Sequence, residues 1–152
     1  MFQLRGFTTL GRSPNMNEDI LDTATSKRAY YLLGMLRIIV ALLFMEHGLM
    51  KLFHFPGPQP GVKDPVSLTL TVAAWLEVVG GSAMLVGLYT RPVAFILSGE
   101  MAVGYFMSHA SRGFWPALNQ GDAAVLFCWI FLYISAAGPG AWSLDRLRWP
   151  PS

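Results

Sequence analysis

Four long apolar stretches alternate with short polar segments along the chain and predict four membrane-spanning helices. They cover residues 30–53, 66–88, 91–110 and 122–138. About 20 apolar residues, each rising about 1.5 Å, cross the roughly 30 Å hydrocarbon core of a bilayer. A soluble protein could bury such helices, but four runs of this length favour a membrane. The pattern therefore predicts an all-α integral membrane protein, a four-helix transmembrane bundle.

Proline and glycine mark the ends of these stretches. Residues 54–65 hold four prolines and two glycines and predict a stiff loop. Residues 139–152 form the predicted cytoplasmic C-terminal tail, and residues 1–29 the polar cytoplasmic N-terminal tail. No apolar run of seven or more precedes Tyr30, so we expect the first stretch to be an uncleaved signal anchor.

The distribution of basic residues predicts the orientation in the membrane. Lysine and arginine accumulate in the cytoplasmic loops of membrane proteins. We therefore expect both termini to lie in the cytoplasm. The predicted cytoplasmic side holds Arg5, Arg12, Lys27, Arg28, Arg91, Arg146 and Arg148, whereas the outer side holds Lys51, Lys63 and Arg112.

The composition agrees with a membrane protein and narrows the chemistry. Hydrophobic residues make up 53% of the chain and charged residues only 13%, against about 25% charged in a soluble domain. The net charge of +2 is too small to indicate a surface that binds nucleic acid. Cys128 is the single cysteine, which excludes an internal disulfide and a CxxC redox pair. The sequence contains no haem or nucleotide motif, so no cofactor is evident from it.

Ionisable residues interrupt the apolar stretches and indicate a polar interior. Such groups are costly in lipid unless they face protein or a wet cavity. Alternating helix directions place most of them in the outer half of the membrane, with Glu77 and Glu100 near mid-depth. We therefore expect a pocket open to the outside, or a proton path. The candidate ligand-binding residues are Arg37, His47, Lys51, Glu77, Glu100, Tyr105, His109 and Asp122.

Several of these residues have structural alternatives. Intramembrane charges nearly always pair, so we expect Arg37 to be an ion-pair partner of Glu77 or Glu100. The functional alternative is a carboxyl group that passes protons or holds a polar ligand group. Asp122 suits the positive end of a helix dipole. The histidines lack HxxxH or ExxH spacing, so no metal site is predicted.

The third stretch has two polar faces. At about 100° per residue, Ser98, Tyr105 and His109 share one face, whereas Glu100 and Ser108 lie on another. Both faces cannot point at one central cavity. One of them is therefore expected to meet a neighbouring helix or a second copy of the chain.

Five short segments follow one another in a fixed order: Arg37…His47-Gly48…Lys51-Leu52, Glu77-Val78-Val79-Gly80-Gly81…Gly87…Arg91, Glu100-Met101…His109, Asn119-Gln120-Gly121-Asp122 and Gly138-Pro139-Gly140-Ala141-Trp142-Ser143-Leu144-Asp145. Their order and spacing resemble the DoxX family of small four-helix membrane proteins, over residues 31–148. The fourth helix in that family often begins with Gly-Glu, where this chain has Gly121-Asp122.

The resemblance implies an integral protein of the bacterial cytoplasmic membrane. Members of the family are linked to quinone-coupled oxidation of sulfur compounds and to membrane-associated oxidoreductase complexes. The family has no agreed catalytic residues, so none is assigned here. The resemblance thus suggests a membrane quinone as a ligand and a membrane or peripheral oxidoreductase as a partner.

Three functions stay open from the sequence. The chain could be a quinone-interacting subunit of, or accessory to, a membrane oxidoreductase, with a histidine or carboxyl group exchanging protons. It could instead be a non-enzymatic scaffold or assembly subunit. It could also be a small-molecule or proton-coupled transporter, although no inverted repeat or broken helix is visible. The expected partners are the lipid bilayer, an oxidoreductase and a second copy of the chain, and no nucleic acid.

Overall fold

The computed structural model describes residues 16–62 and 65–148, with side chains from residue 25 onward. These residues form helices and turns with no strand among them, which confirms the predicted all-α class. A 3₁₀ turn covers Ala110–Arg112. The α-helices are α1 (Met16–Phe53), α2 (Leu68–Val86), α3 (Thr90–Ser108), α4 (Pro116–Asn119), α5 (Asp122–Ala137) and α6 (Leu144–Arg148).

The first helix is longer than the sequence pattern predicts. It begins at Met16, not at Tyr30. Residues 16–29 contain no glycine or proline, the two residues that most disfavour a helix. The remaining parts of the predicted tails, residues 1–15 and 149–152, lie outside the described residues, as do residues 63–64.

The C-terminal segment, residues 138–148, caps the start of α3. The side chain of Asp145 accepts hydrogen bonds from the backbone N–H groups of Tyr89 and Thr90, at 2.7 and 2.8 Å. A carboxylate there satisfies otherwise unpaired donors at a helix N-terminus. Gly87 ends α2 in the left-handed region, with φ of 69°. Helices α2 and α3 are therefore joined by a tight turn that the C-terminal segment covers.

The long helices share a buried apolar core. Helix α1 packs mainly on α2, and α3 packs mainly on α5, while α2 also contacts α3. The two pairs meet over side chains that solvent does not reach. The core residues are Val40, Ala41 and Phe44 of α1, Met84 of α2, Ala94 and Leu97 of α3, and Phe131 and Ile134 of α5.

The outward surface of the same four helices is also apolar. Leu42, Val79, Phe95 and Trp129, one from each long helix, are all at least half exposed. Soluble monomers rarely expose contiguous apolar surface on this scale. Residues Thr25–Phe53 of α1 and all of α2 are long and apolar enough to cross a membrane, by length and composition. The exterior therefore suits lipid better than water.

Candidate functional site

A cavity of about 330 Å³ lies between α1, α2, α3 and the start of α5. Residues 59–62, from the loop that joins α1 to α2, complete its wall. Its apolar lining includes Phe44, Leu70, Met101 and Phe127. Its polar lining consists of His47, Lys51, Gln59, Glu77, Glu100, Ser108, His109, Arg112 and Gln120.

The structure brings together five of the eight predicted site residues. They come from three different helices and converge on this one cavity, as the argument from depth predicts. Arg37, Tyr105 and Asp122 are not among the lining residues. The five that line the cavity are His47, Lys51, Glu77, Glu100 and His109.

A buried ion pair joins α1 to α2 at the cavity wall. The Lys51 ammonium group contacts the Oε1 atom of Glu77, and the two side chains are 8% and 3% exposed. Small residues permit this contact. A Cβ atom added at Gly48 would lie 2.7 Å from the carbonyl oxygen of Ala74, so the helices approach closely one turn away. Each charge thus compensates the other away from water.

Glu100 lies on the same cavity without a partner. Both of its carboxyl oxygens are buried and make no hydrogen bond to the described residues. The second oxygen of Glu77, Oε2, is also buried and makes no hydrogen bond to the described residues. Most buried polar atoms in proteins are hydrogen-bonded, and an unsatisfied one costs about 1–3 kcal/mol. These oxygens therefore mark the place where a polar ligand group or a proton would bind.

The His47 ring is held in one orientation. Its Nδ1 atom lies 2.8 Å from the carbonyl oxygen of Leu43, and its ring meets Phe127 edge to face. A carbonyl oxygen only accepts hydrogen bonds, so Nδ1 carries the proton. In the neutral imidazole, Nε2 is then a hydrogen-bond acceptor.

His109 follows the same pattern on the opposite wall. Its Nδ1 atom lies 3.1 Å from the carbonyl oxygen of Asn119, and its ring stacks on Tyr105. Nδ1 again donates to a carbonyl, which leaves Nε2 as an acceptor in the neutral ring. The two cavity histidines are therefore fixed in the same tautomer.

The two polar faces of α3 are separated as expected for Ser98, which donates to the carbonyl of Cys128 in α5, and for Tyr105, which does not line the cavity. The expectation is wrong for His109, which lines the cavity together with Glu100. The helical extrapolation fails because His109 is the C-cap of α3, with φ of −117° and ψ of −47°, and lies beyond the regular helix. The polar faces of α3 therefore provide no argument for a second copy of the chain.

Tyr105 and Asp122 have roles outside the cavity. The Tyr105 hydroxyl donates to the carbonyl of Phe114 at 3.3 Å and accepts from the Asn119 amide at 3.3 Å. Asn119, 1% exposed, also donates to the carbonyl of Gly113 at 2.8 Å. This network holds the segment before α5 and supports the His109 ring. Asp122 is exposed on the first turn of α5, where its charge favours the helix dipole.

Arg37 does not pair with Glu77 or Glu100, so that prediction is wrong. The side chain is 0% exposed and lies at the other end of the helices from the cavity. Its guanidinium group donates five hydrogen bonds, its full capacity. The acceptors are the backbone carbonyl oxygens of Met84 (2.5 Å), Leu85 (2.7 Å), Pro139 (2.8 Å), Trp142 (2.8 Å) and Ala141 (3.0 Å).

Sequence reasoning missed four polar lining residues. Three lie in connecting segments, where no helical period assigns a direction to a side chain. The fourth is at the end of α3 on the face of Glu100, and that spacing was the one available signal. The four residues are Gln59, Ser108, Arg112 and Gln120.

The cavity combines proton-exchanging groups with apolar walls. Within the described ranges, no three His, Cys, Asp or Glu side chains form a group that could hold a metal ion. The Glu100 carboxyl group and the two histidines can instead hold a polar head group by hydrogen bonds and exchange protons with it. Phe44, Leu70 and Phe127 can contact an apolar part of the same molecule.

Curated relatives match most of the chain. An uncharacterized protein of Haemophilus influenzae is 44% identical over 76% of this chain and 90% of its own length. The inner membrane protein YphA of Escherichia coli is 30% identical over 76% of this chain and 89% of its own length. The inner membrane protein YqjF of Escherichia coli is 29% identical over 73% and 87%. No solved structure matches the chain.

A family comparison includes the residues of the site. The sequence model of the DoxX family matches residues 32–110, just over half of the chain. This range contains all five predicted residues that line the cavity, from His47 to His109. The chain therefore belongs to the DoxX family.

Proposed function

We propose that this protein spans the bacterial inner membrane and binds the polar head of a quinone in the interhelical cavity. It would act as a subunit of, or accessory to, a membrane oxidoreductase. The observation that carries this proposal is the unpartnered Glu100 carboxyl group on a cavity with histidines and apolar walls. Such a lining suits a small molecule with a polar ring and an apolar chain.

The membrane part of the proposal includes four crossings with both termini inside. The apolar exposed face of each long helix supports this arrangement, as do the relatives named as inner membrane proteins. Helices α2 and α3, 19 residues each, extend about 28 Å. Lys27 and Arg28 would lie on the cytoplasmic side and Arg112 on the outer side.

Cysteine labelling in intact cells tests this topology. In a Cys128→Ser background, we expect an impermeant maleimide to label Ser111→Cys, an exposed position near Arg112. Ser26→Cys, exposed near Lys27, should react only after the membrane is permeabilised. Labelling of Ser26→Cys in intact cells, with Ser111→Cys protected, would show the opposite orientation.

The ligand part of the proposal follows from the size and chemistry of the cavity. A volume of about 330 Å³ is near the lower end of small-molecule sites and is adequate for one aromatic ring with substituents. The ligand chain would leave between helices toward lipid. Electrons would come from a partner protein or from a substrate on the outer face.

Extraction of bound small molecules tests the ligand. We expect mass spectrometry to find a quinone enriched in protein purified in native lipid, relative to membranes without the protein. Glu100→Leu removes the carboxyl group, whose O–H in the protonated form donates to a quinone carbonyl. It should lower the bound quinone severalfold, since such a hydrogen bond contributes about 0.5–1.5 kcal/mol. Asp122→Asn, which changes an exposed carboxylate outside the cavity, is the matched control and should retain the quinone.

A scaffold role is the second candidate. The Lys51–Glu77 ion pair favours it, because that pair is satisfied internally and joins two helices without a ligand. If only bulk lipid is extracted, from the natural protein and both variants alike, the quinone proposal is wrong. Crosslinking in the membrane would then identify the protein partner that the scaffold holds.

A further inference from the structure

We infer that the cavity is a water passage open at one end, through which the Glu100 carboxyl group exchanges its proton with the end of the molecule that carries Arg112. Gly104, one turn of α3 beyond Glu100, keeps this passage open. The proposed topology makes that end the outer side of the membrane, and in this respect alone the inference rests on the proposed function.

The cavity reaches solvent at one end of the helices. Helices α1 and α3 end there, at Phe53 and Ser108, and α5 begins there, at Asp122. The deep wall includes Phe44 and Glu77, which are 1% and 2% exposed. A path for water therefore enters between the connecting segments and ends in the buried part of the cavity. The exposed lining residues among those described belong to these segments or to the first turn of α5: Pro60, Gly61, Arg112, Gln120 and Ala123.

The other end of the cavity is closed by the apolar core. Phe44 lines the cavity, and its ring packs against Phe131, with the ring centroids 4.8 Å apart. Ser98, two residues before Glu100 on α3, donates to the Cys128 carbonyl and does not line the cavity. Within the described ranges, protons therefore have no polar route from Glu100 to the opposite end of the helices. The side chains that continue the core in that direction are at most 1% exposed: Ala41, Leu97, Phe131 and Ile134.

One face of α3 leads from the buried carboxyl group to the open end. Glu100, Gly104 and Ser108 are four residues apart, so they lie on one face at intervals of about 6 Å along the axis. All three line the cavity. A Cβ atom added at Gly104 would meet no neighbouring atom within 4 Å, so open space adjoins the helix between the carboxyl and hydroxyl groups. A polar space of this kind can hold water, which needs about two to four hydrogen-bonding partners.

No positive side chain pairs with Glu100 among the described residues. Lys51 is paired with Glu77, and the two Glu100 oxygens make no hydrogen bond. An isolated carboxylate is costly away from water, so a carboxyl group in this position holds a proton. The described lining residues of the α1–α2 loop and of α5 are uncharged. The titratable or charged lining residues besides Glu100 are His47 and Lys51 of α1, Glu77 of α2, His109 at the end of α3 and Arg112 of the 3₁₀ turn.

Glu100 can therefore act as a proton-exchanging group with one outlet. Its carboxyl group gives a proton to water in the passage and becomes a carboxylate, and it regains a proton from hydronium on the same side. A head group bound beside Glu100 would take up or release its protons through this carboxyl group. Those protons would be exchanged with the outer side of the membrane and not with the cytoplasm.

Reaction of a single cysteine from each side of the membrane tests the passage. In the Cys128→Ser background, Glu100→Cys places a thiol at the closed end of the passage. A charged, impermeant methanethiosulfonate reacts with the thiolate, which forms in contact with water. We expect reaction in right-side-out vesicles and none in inside-out vesicles, with Ser111→Cys reporting the orientation of each preparation. Reaction from the side opposite to Ser111→Cys, or from neither side, would overturn the inference.

Gly104→Leu is the decisive variant because it fills the passage and leaves position 100 unchanged. In the Glu100→Cys chain it should lower the rate of reaction about tenfold or more, since the reagent must then displace a packed side chain. Gly99→Leu is the matched control, because Gly99 also adjoins open space on α3 but is exposed and does not line the cavity. Its rate should equal that of the parent chain. An equal rate in Gly104→Leu would overturn the role of Gly104.

Infrared spectroscopy of the chain with Glu100 in place follows the proton directly. The C=O band of a protonated carboxyl group shifts when its hydrogen is exchanged for deuterium, and Glu100→Gln identifies the band by removing it. We expect exchange in D₂O to be about tenfold slower in Gly104→Leu than in the natural protein, and unchanged in Gly99→Leu. Equal exchange rates in all three proteins, or no band of a protonated Glu100, would overturn proton exchange through this passage.

Neither measurement needs a quinone, which separates this inference from the proposed function. Failure of both tests would overturn the passage and leave the proposed ligand untouched. Absence of quinone from the native extract would overturn the proposed ligand and leave the passage untouched.

Discussion

Replacing Arg37 with methionine is expected to lower the melting temperature by about 10 °C or more. The substitution removes five hydrogen bonds from a fully buried side chain. It leaves the carbonyl oxygens of Leu85, Pro139, Ala141 and Trp142 without the Arg37 donor, whereas the Met84 carbonyl keeps the N–H of Gly87. Each unsatisfied buried carbonyl costs about 1–3 kcal/mol, so the sum reaches several kcal/mol.

Thermal unfolding in a mild detergent, followed by tryptophan fluorescence, measures this effect. Arg37→Lys should recover only part of the loss, because an ammonium group has three donors and cannot reproduce the planar fork. Arg91→Met is the matched control. Arg91 also donates to two carbonyls, of Ser135 and Ala136, but it is exposed, so its loss should cost about 1 kcal/mol or less. A melting temperature unchanged in Arg37→Met would show that the C-terminal segment does not depend on this side chain.

The ion pair of Lys51 and Glu77 should show strong coupling in a double-mutant cycle. Lys51→Met leaves the Glu77 carboxylate buried without its partner, which costs about 3–5 kcal/mol. Glu77→Met likewise leaves the Lys51 ammonium group buried without its partner. The double variant replaces both charges with apolar side chains and should be close to the natural protein in stability, because such replacements are often neutral or stabilising.

The same four proteins separate folding from ligand binding. The double variant should fold and yet retain little quinone, because Glu77 Oε2 is one of the unpartnered oxygens on the cavity. Melting temperatures and extracted ligand are measured on each preparation. Additive losses, with the double variant less stable than either single one, would show that the two charges do not stabilise each other. Full ligand retention in a stable double variant would remove Glu77 from the proposed site.

The local sequence pattern was enough to predict the long helices and part of the cavity lining. Apolar runs of membrane length and breakers such as Gly138-Pro139-Gly140 placed the four long helices to within a few residues at most ends. The alternating direction of the helices was enough to group His47, Glu77 and Glu100. These features depend on hydrophobic length and chain direction, which the sequence contains in full. The exception was the start of α1, where a polar segment without glycine or proline extends the helix beyond the apolar run.

The helical class, the order of the apolar stretches and the family thus follow from sequence alone. Which polar groups meet depends on how the helices and loops pack. Arg37 and Trp142 are 105 residues apart, and Lys51 reaches Glu77 because Gly48 lets two helices approach. Any acid was a possible partner of any base in the sequence, since charge alone does not encode distance. In the folded chain, Arg37 pairs with backbone carbonyls and Lys51 with a carboxylate, whereas Glu100 has no hydrogen-bond partner among the described residues. Each of these contacts depends on loops and helix spacing, which no local sequence pattern contains.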